Sequence, residues 1–175
     1  MSRCSLNIQE SMNKKAELFW QGEFDRLTEV YDFPIPVYVG ETLTSYDSPD
    51  AITGVLSNMR ADMLADGLTS VQARVVAQDL PRNGQYRVFV DWHYCYEDND
   101  TRETTSVTYF FRETIGGPKV QMVEFRKCDH SDVSTQGSPP TTSVEAPYRN
   151  GRGRFRRLEN YWPIPGHTVQ RNVTP

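Results

Sequence analysis

The chain has 175 residues, of which 37% are hydrophobic and 24% charged, and its formal net charge is −4. This length suits one domain with a sizeable core, and it argues against a multidomain enzyme. The mild charge argues against a general nucleic-acid or membrane surface, and the sequence predicts neither a signal peptide nor a membrane span. Three scattered cysteines favour reduced thiols and therefore a cytoplasmic location.

The first part of the chain predicts two helices and a hairpin. Apolar residues recur at near-helical spacing over residues 5–20, and Gly22 is a suitable end for that helix. A second, short helix is predicted over residues 24–31. Two prolines then impose extended backbone on residues 33–39, which pair with residues 41–46 in a hairpin.

The next part predicts one long helix and then a block of strands. Ser48 is the predicted cap of the helix, which begins at Pro49 and ends at Gly67. Beyond it the apolar period changes from about four to two, which is typical of strands. Turn residues separate four strands of a predicted meander, at residues 70–80, 86–97, 104–113 and 119–127.

The strand at residues 86–97 has two chemically different faces. One face carries only large apolar and aromatic residues and is predicted to point inward, namely Val88, Val90, Trp92, Tyr94 and Tyr96. The opposite face places Asp91 beside His93, where a carboxylate can orient an imidazole for base catalysis. The alternative interpretation, which we favour, is an outer face that is solvated or covered in a dimer.

Residues 129–175 are rich in Ser, Thr, Pro and Arg and predict an extended or disordered tail after a domain at residues 1–128. Five arginines lie within residues 149–157, which is typical of segments that contact phosphates. The alternative is a solvated tail that pairs with the acidic domain. Because acidic residues dilute the positive charge of the arginines, we favour the solvated tail and expect no nucleic-acid partner.

The order of elements over residues 5–128, and the helix text at residues 22–32, resemble the nuclear transport factor 2-like superfamily, in its SnoaL-like and ketosteroid-isomerase-like branch. The resemblance implies an α+β fold in which a cone-shaped, bent and mainly antiparallel sheet packs on three N-terminal helices. An irregular C-terminal tail would follow the cone.

The same resemblance implies an apolar cavity at the mouth of the cone, where enzymes of the superfamily place an acid or base. The catalytic carboxylate of its isomerases falls near Val39, where this chain has no acidic residue. A second family position falls near Tyr109, whose hydroxyl can donate a hydrogen bond to a ligand. Isomerase-, dehydratase- or hydrolase-type chemistry is therefore left open.

Aromatic and methionine side chains predict a pocket for a small, largely apolar molecule. Tyr109, Asp91 and His93 are the candidate catalytic residues. The candidate ligand-binding residues are Trp20, Tyr31, Tyr38, Met59, Met63, Trp92, Tyr94 and Phe111. The alternative for each single residue is ordinary core packing. The alternative function is a non-catalytic assembly module that uses its sheet face and its arginine-rich tail.

Two further expectations concern partners. A zinc site at His93, Cys95, Cys128 and His130 is disfavoured, since the two cysteines would end strands about 9–10 Å apart, given ~4.8 Å per strand. We therefore expect no metal and no other cofactor. Because the strands carry apolar residues on both faces, we expect a homodimer through the outer face of the sheet.

Overall fold

A computed structural model of the protein describes residues 8–97 and 102–126. The helices are α1 (Ile8–Gln21), α2 (Phe24–Thr28) and α3 (Pro49–Ala65). The strands are β1 (Ile35–Val39), β2 (Thr42–Tyr46), β3 (Leu68–Gln78), β4 (Gln85–Tyr96), β5 (Arg102–Thr114) and β6 (Gly117–Phe125). The predicted order of elements is confirmed, with boundaries that differ by a few residues.

All six strands form one sheet in the order β2-β1-β6-β5-β4-β3. The four long strands pair as the predicted antiparallel meander, and β1 and β2 form the predicted hairpin. Strand β1 pairs with β6 in parallel, with Val37 opposite Val123, and an isolated parallel bridge joins Tyr31 to Val120. The α+β class and the mainly antiparallel, cone-type sheet on three helices are therefore confirmed.

Two glycines follow helices where the sequence predicts an end. Gly22 has φ +79° and its N–H donates to the carbonyl of Phe19, while Gly67 has φ +88° and donates to the carbonyl of Leu64. Side chains with a Cβ rarely adopt this backbone conformation, so both positions favour glycine. Ser48 occupies the predicted cap position of α3, but its side chain makes no capping hydrogen bond to a described residue.

Helix α1 packs on the inner face of the sheet and is anchored to the edge strand β3. The side-chain amide of Gln9 donates to the carbonyl of Ala73 and accepts from the N–H of Val75, both at 2.8 Å. Met12 and Phe19, which follow Gln9 along the helix, are buried. The anchor at Gln9 sets the rotation of α1 and therefore which of its side chains enter the core.

The alternation along β4 follows the predicted parity. Its predicted inward residues are all buried, from Val88 at the start of the strand to Tyr96 at its end. Asp91 and His93 occupy the opposite face and are half-buried. Helix α3 covers the inner face with a buried row of apolar side chains, namely Ile52, Leu56, Met59 and Met63.

Several sequence-based predictions fall outside the described residues: the tail at 129–175, its boundary after residue 128, the arginine-rich residues 149–157, and Cys128 with His130. They stay predictions. Within the described ranges, no helix is long and apolar enough to cross a membrane.

Candidate functional site

A cavity lies between the helices and the inner face of the sheet, and it is partly open to solvent. Its volume is about 50 Å³, which is room for about four water molecules. Thirteen described side chains from the helices, the sheet and the loop after α2 line it, and most are apolar. They are Lys15, Phe19, Leu27, Tyr31, Val37, Ile52, Leu56, Met59, Trp92, Tyr94, Tyr109, Val123 and Phe125.

One of these side chains is a lysine in the core. Lys15 follows Met12 by three residues and precedes Phe19 by four, so the helical period places it on the buried face of α1. Only 5% of its surface is exposed. Its Nζ has no hydrogen-bond partner among the described residues, and it lies 4.5 Å from the ring centroid of Tyr31 and 5.3 Å from that of Tyr109.

Burial changes the acid–base behaviour of this amine. Loss of solvation disfavours the ammonium form and lowers the pKa of Lys15 from its ordinary value of 10.5 to about 7. The aromatic faces of Tyr31 and Tyr109 attract a cation, but they do not replace the lost water. At neutral pH the amine is therefore divided between a charged form and a neutral, nucleophilic form.

Three phenols line the cavity together with the amine: Tyr31 from the loop after α2, Tyr94 from β4 and Tyr109 from β5. Burial raises the pKa of Tyr31, and it also raises the pKa of Tyr94, where the charge of Glu103 adds to the effect. The pKa of Tyr109 is raised well above its ordinary value, mainly by burial and then by the other two phenols. All three hydroxyls therefore remain protonated at physiological pH and can donate hydrogen bonds.

The indole of Trp92 completes the polar part of the lining. It opposes the rise in the pKa of Tyr109, since a nearby N–H favours the phenolate. Its Nε1 nevertheless makes no hydrogen bond of standard geometry to any described residue, so we regard this N–H as available to a ligand. In the part of the chain that the structure describes, every polar side chain that lines the cavity can thus donate a hydrogen bond, and none of them is a carboxylate.

The candidate ligand-binding residues divide into two groups. Tyr31, Met59, Trp92 and Tyr94 line the cavity together with Tyr109.

The other four do not line this cavity. Trp20 is half-buried beyond Phe19 and its carbonyl accepts two hydrogen bonds from Arg60, and Tyr38 is half-buried on β1. Met63 is buried in the core, and Phe111 stacks on Tyr86 with ring centroids 5.3 Å apart. A binding role for these four stays a prediction that the cavity geometry does not support.

The predicted pair of Asp91 and His93 lies on the outer face of β4, away from the cavity. Asp91 accepts a hydrogen bond of 2.7 Å from the Ser106 hydroxyl, and His93 Nδ1 lies 2.9 Å from the hydroxyl oxygen of Thr104. Each side chain thus has a neighbour on β5 as its polar partner. Their catalytic role stays a prediction and forms no part of the cavity site.

The carboxylates nearest the family position at Val39 do not enter the cavity either. Asp32 pairs with Arg112 at 2.5 Å, and Glu41 is exposed. Within residues 8–97 and 102–126, no group of three His, Cys, Asp or Glu side chains is arranged to hold a metal ion.

Sequence reasoning missed the central residue of the cavity. Lys15 was visible as a lysine on the apolar face of the first helix, at the spacing shared by Met12 and Phe19. A charged residue at a position that the helical period assigns to the core is the signal that could have identified it.

No protein-family model and no curated protein sequence matches the chain. Solved structures do. An NTF-2-like protein of unknown function from Shewanella oneidensis is 12% identical, with coverage of 67% of this chain and 94% of that chain and a TM-score of 0.54. The protein Aln2 from a Streptomyces species is 10% identical, with coverage of 73% and 94% and a TM-score of 0.55.

A putative aromatic ring hydroxylase from Novosphingobium aromaticivorans is 16% identical, with coverage of 69% of this chain and 85% of that chain and a TM-score of 0.50. At such low identities the shared property is the fold, since one fold carries many functions. The helix order, the six-stranded sheet and these structural neighbours together give this chain the fold of the nuclear transport factor 2-like superfamily.

Proposed function

We propose that this chain is a SnoaL-like pocket protein, which binds a small and largely apolar molecule in the cavity that contains Lys15. The observation that carries the proposal is the amine itself, buried without a hydrogen-bond partner among the described residues. An unpaired buried amine destabilises a fold, whereas an apolar side chain of similar length at the same place would stabilise it. Sequences break such packing rules mainly at functional sites.

The composition of the lining supports an apolar ligand with a polar end. Apolar side chains from α3, β1 and β6 line the same cavity as the amine and the phenols. Burial of a ligand there removes apolar surface from water, while the phenols orient an oxygen atom. The cavity volume is small, so a ligand larger than a few atoms requires side chains to move. The unbranched and flexible side chain of Met59 is suited to such a movement.

Conversion of the bound molecule is a second step that the same geometry supports. A lysine whose pKa is near 7 can act as a general base or as a nucleophile at neutral pH. No carboxylate of residues 8–97 and 102–126 lines the cavity for the proton abstraction that superfamily isomerases perform. If the protein is an enzyme, we propose that Lys15 takes the role of the missing carboxylate.

The experiment compares two tryptophan variants on the same helix. Leu56 lines the cavity, whereas Leu64 is an exposed leucine two turns further along α3. Leu56→Trp fills the cavity and Leu64→Trp leaves it open. The probe is p-cresol, a small neutral apolar molecule, and the readout is the rise in Tm that a ligand of the folded state produces.

We expect p-cresol to raise the Tm of the wild type and of Leu64→Trp, and to leave the Tm of Leu56→Trp unchanged. Equal shifts in all three proteins would exclude this cavity as the binding site. Should Leu56→Trp fail to fold, Val123→Leu is used in its place, because it adds one methylene to the cavity lining. Native mass spectrometry of the purified full chain then searches for a copurifying molecule that Leu64→Trp retains and the cavity variant loses.

A further inference from the structure

The cavity has an unusual balance of polar groups. Among the described residues it contains one amine, three phenols and one indole N–H, and no negatively charged side chain from them lines it. Most buried polar groups in proteins are satisfied by a partner, yet the Nζ of Lys15 and the Nε1 of Trp92 have none among the described residues. The cavity therefore presents hydrogen-bond donors and a potential positive charge, while the side chains that line it offer only neutral phenol oxygens as acceptors.

A ligand that matches this arrangement supplies an acceptor and a negative charge. A carboxylate does both, because its two oxygens accept several hydrogen bonds and its charge pairs with an ammonium group. The apolar side chains of the lining, such as Leu56 and Val123, match a hydrocarbon body. A neutral apolar molecule would fill the same space but would leave the amine unpaired.

We infer that the ligand is a small apolar monocarboxylic acid, whose carboxylate pairs with Lys15 and accepts hydrogen bonds from the surrounding phenols. This inference rests on the proposed binding function and names its ligand class. The ammonium group and the carboxylate form a buried ion pair, which is favourable only when further hydrogen bonds satisfy its remaining atoms. We expect the hydroxyls of Tyr31, Tyr94 and Tyr109, whose side chains line the same cavity, to supply them.

The described side chains that line the cavity with Lys15 carry no charge at physiological pH, so the protonation of Lys15 depends mainly on the charge of the ligand. The titratable groups around it are Tyr31 from the loop after α2, Tyr94 from β4 and Tyr109 from β5, all neutral at physiological pH. The side chains from α3, β1 and β6 that reach the cavity are apolar. Lys14 and Glu17 on α1 pair with each other at the surface.

Binding of an acid is therefore coupled to protonation of one amine. The carboxylate is ionised above about pH 5 and the free amine is protonated below about pH 7, so the acid binds most tightly between these values. Above pH 7 the complex must take up a proton. The affinity then falls about tenfold for each pH unit, until the pKa of Lys15 in the complex is reached.

The test uses benzoate and hexanoate as probes, each paired with its neutral amide, on the full chain by isothermal titration. Lys15→Met removes the amine and keeps the length of the side chain. Lys14→Met is the matched control, because Lys14 precedes it on α1 and its side chain is about half exposed. Titrations at about pH 6 and about pH 9 report the protonation step.

We expect the wild type and Lys14→Met to bind each acid at least tenfold more tightly than its amide at the lower pH. Lys15→Met should lose that preference and still bind the amides. The acid preference should fall at least tenfold at the higher pH. Equal affinity for acids and amides in the wild type, or an unchanged preference in Lys15→Met, would overturn the inference while leaving the binding function intact.

Absence of binding by both acids and amides would overturn the inference and the proposed function together. If Lys15→Met does not fold, the pH dependence of the wild type decides, since a preference that is the same at both pH values contradicts a role for this amine.

A further arm addresses carbonyl chemistry. Hexanal and borohydride are added to the wild type: the neutral amine would form an imine with loss of water, and the reductant would convert it to a secondary amine. An adduct on Lys15 without any acid preference would assign the amine to carbonyl ligands and overturn the inference.

Discussion

The Nζ of Lys15 lies 4.5 Å from the centroid of the Tyr31 ring, so an amine from the first helix meets an aromatic face from the loop after the second helix. The contact is buried, and Tyr109 on β5 provides a second ring at 5.3 Å. Such ring faces stabilise a cation by about 0.5–2 kcal/mol. This is less than the cost of burial, and the pKa of Lys15 is lowered accordingly.

Lys15 makes the stability of the protein depend on pH. The pKa of this amine is 10.5 in ordinary surroundings and about 7 in the fold, so between these values the unfolded chain binds more protons than the folded one. The free energy of unfolding should therefore rise with pH over this window, by about 1.4 kcal/mol per pH unit. Below pH 7 the destabilisation caused by burying Lys15 has its full size.

Lys15→Met should abolish this slope and raise the free energy of unfolding at about pH 6 by up to about 5 kcal/mol. Urea unfolding at several pH values between about 6 and 9 measures both effects, and Lys14→Met reports the contribution of an exposed lysine. A slope that survives in Lys15→Met would show that another group causes it.

The hydroxyl of Tyr109 should contribute to ligand binding more than to stability. Tyr109→Phe removes one donor from the cavity and retains the ring, so the affinity for an oxygen-containing ligand such as p-cresol should fall by about 0.5–1.5 kcal/mol. The Tm of the free protein should change little. Unchanged affinity would remove Tyr109 from the site, and Tyr86→Phe, at a ring outside the cavity, is the matched control.

Gln9 should be important for stability because it anchors α1 to the edge strand. Gln9→Ala removes the hydrogen bonds to Ala73 and Val75, and we expect a loss of about 1–3 kcal/mol in the free energy of unfolding. Gln21→Ala is the control, since the side chain of Gln21 on the same helix donates a hydrogen bond to the exposed Glu17 and to no other described residue. Equal losses in both variants would contradict the anchoring role.

Self-association through the outer sheet face stays a prediction. Phe89 lies half-buried on that face, and the guanidinium groups of Arg87 and Arg126 lie 5.5 and 5.0 Å from its ring centroid. If this face joins two copies, Phe89→Glu should convert a dimer to a monomer in light scattering at micromolar concentration. Ile115→Glu, at an exposed turn, should leave the dimer intact. A wild type that is monomeric at that concentration would refute the predicted dimer.

The sequence by itself determined the order and type of the elements. The change from helical to alternating periodicity after Gly67, and the alternation from Val88 to Tyr96, depend only on neighbours in the chain. These signals are local, because each element must present an apolar face whatever it packs against. They were sufficient for the three helices, the hairpin and the meander.

Only the tertiary structure decided which of those faces meet. The parallel pairing of β1 with β6 joins Val37 to Val123, which are 86 positions apart in the sequence, and no local pattern records such a partner. The cavity likewise depends on the rotation of α1, which the bonds of Gln9 to β3 set. Lys15 and Tyr109 are 94 positions apart in the sequence, and their meeting is a property of packing, because burial is a sum over side chains from every element.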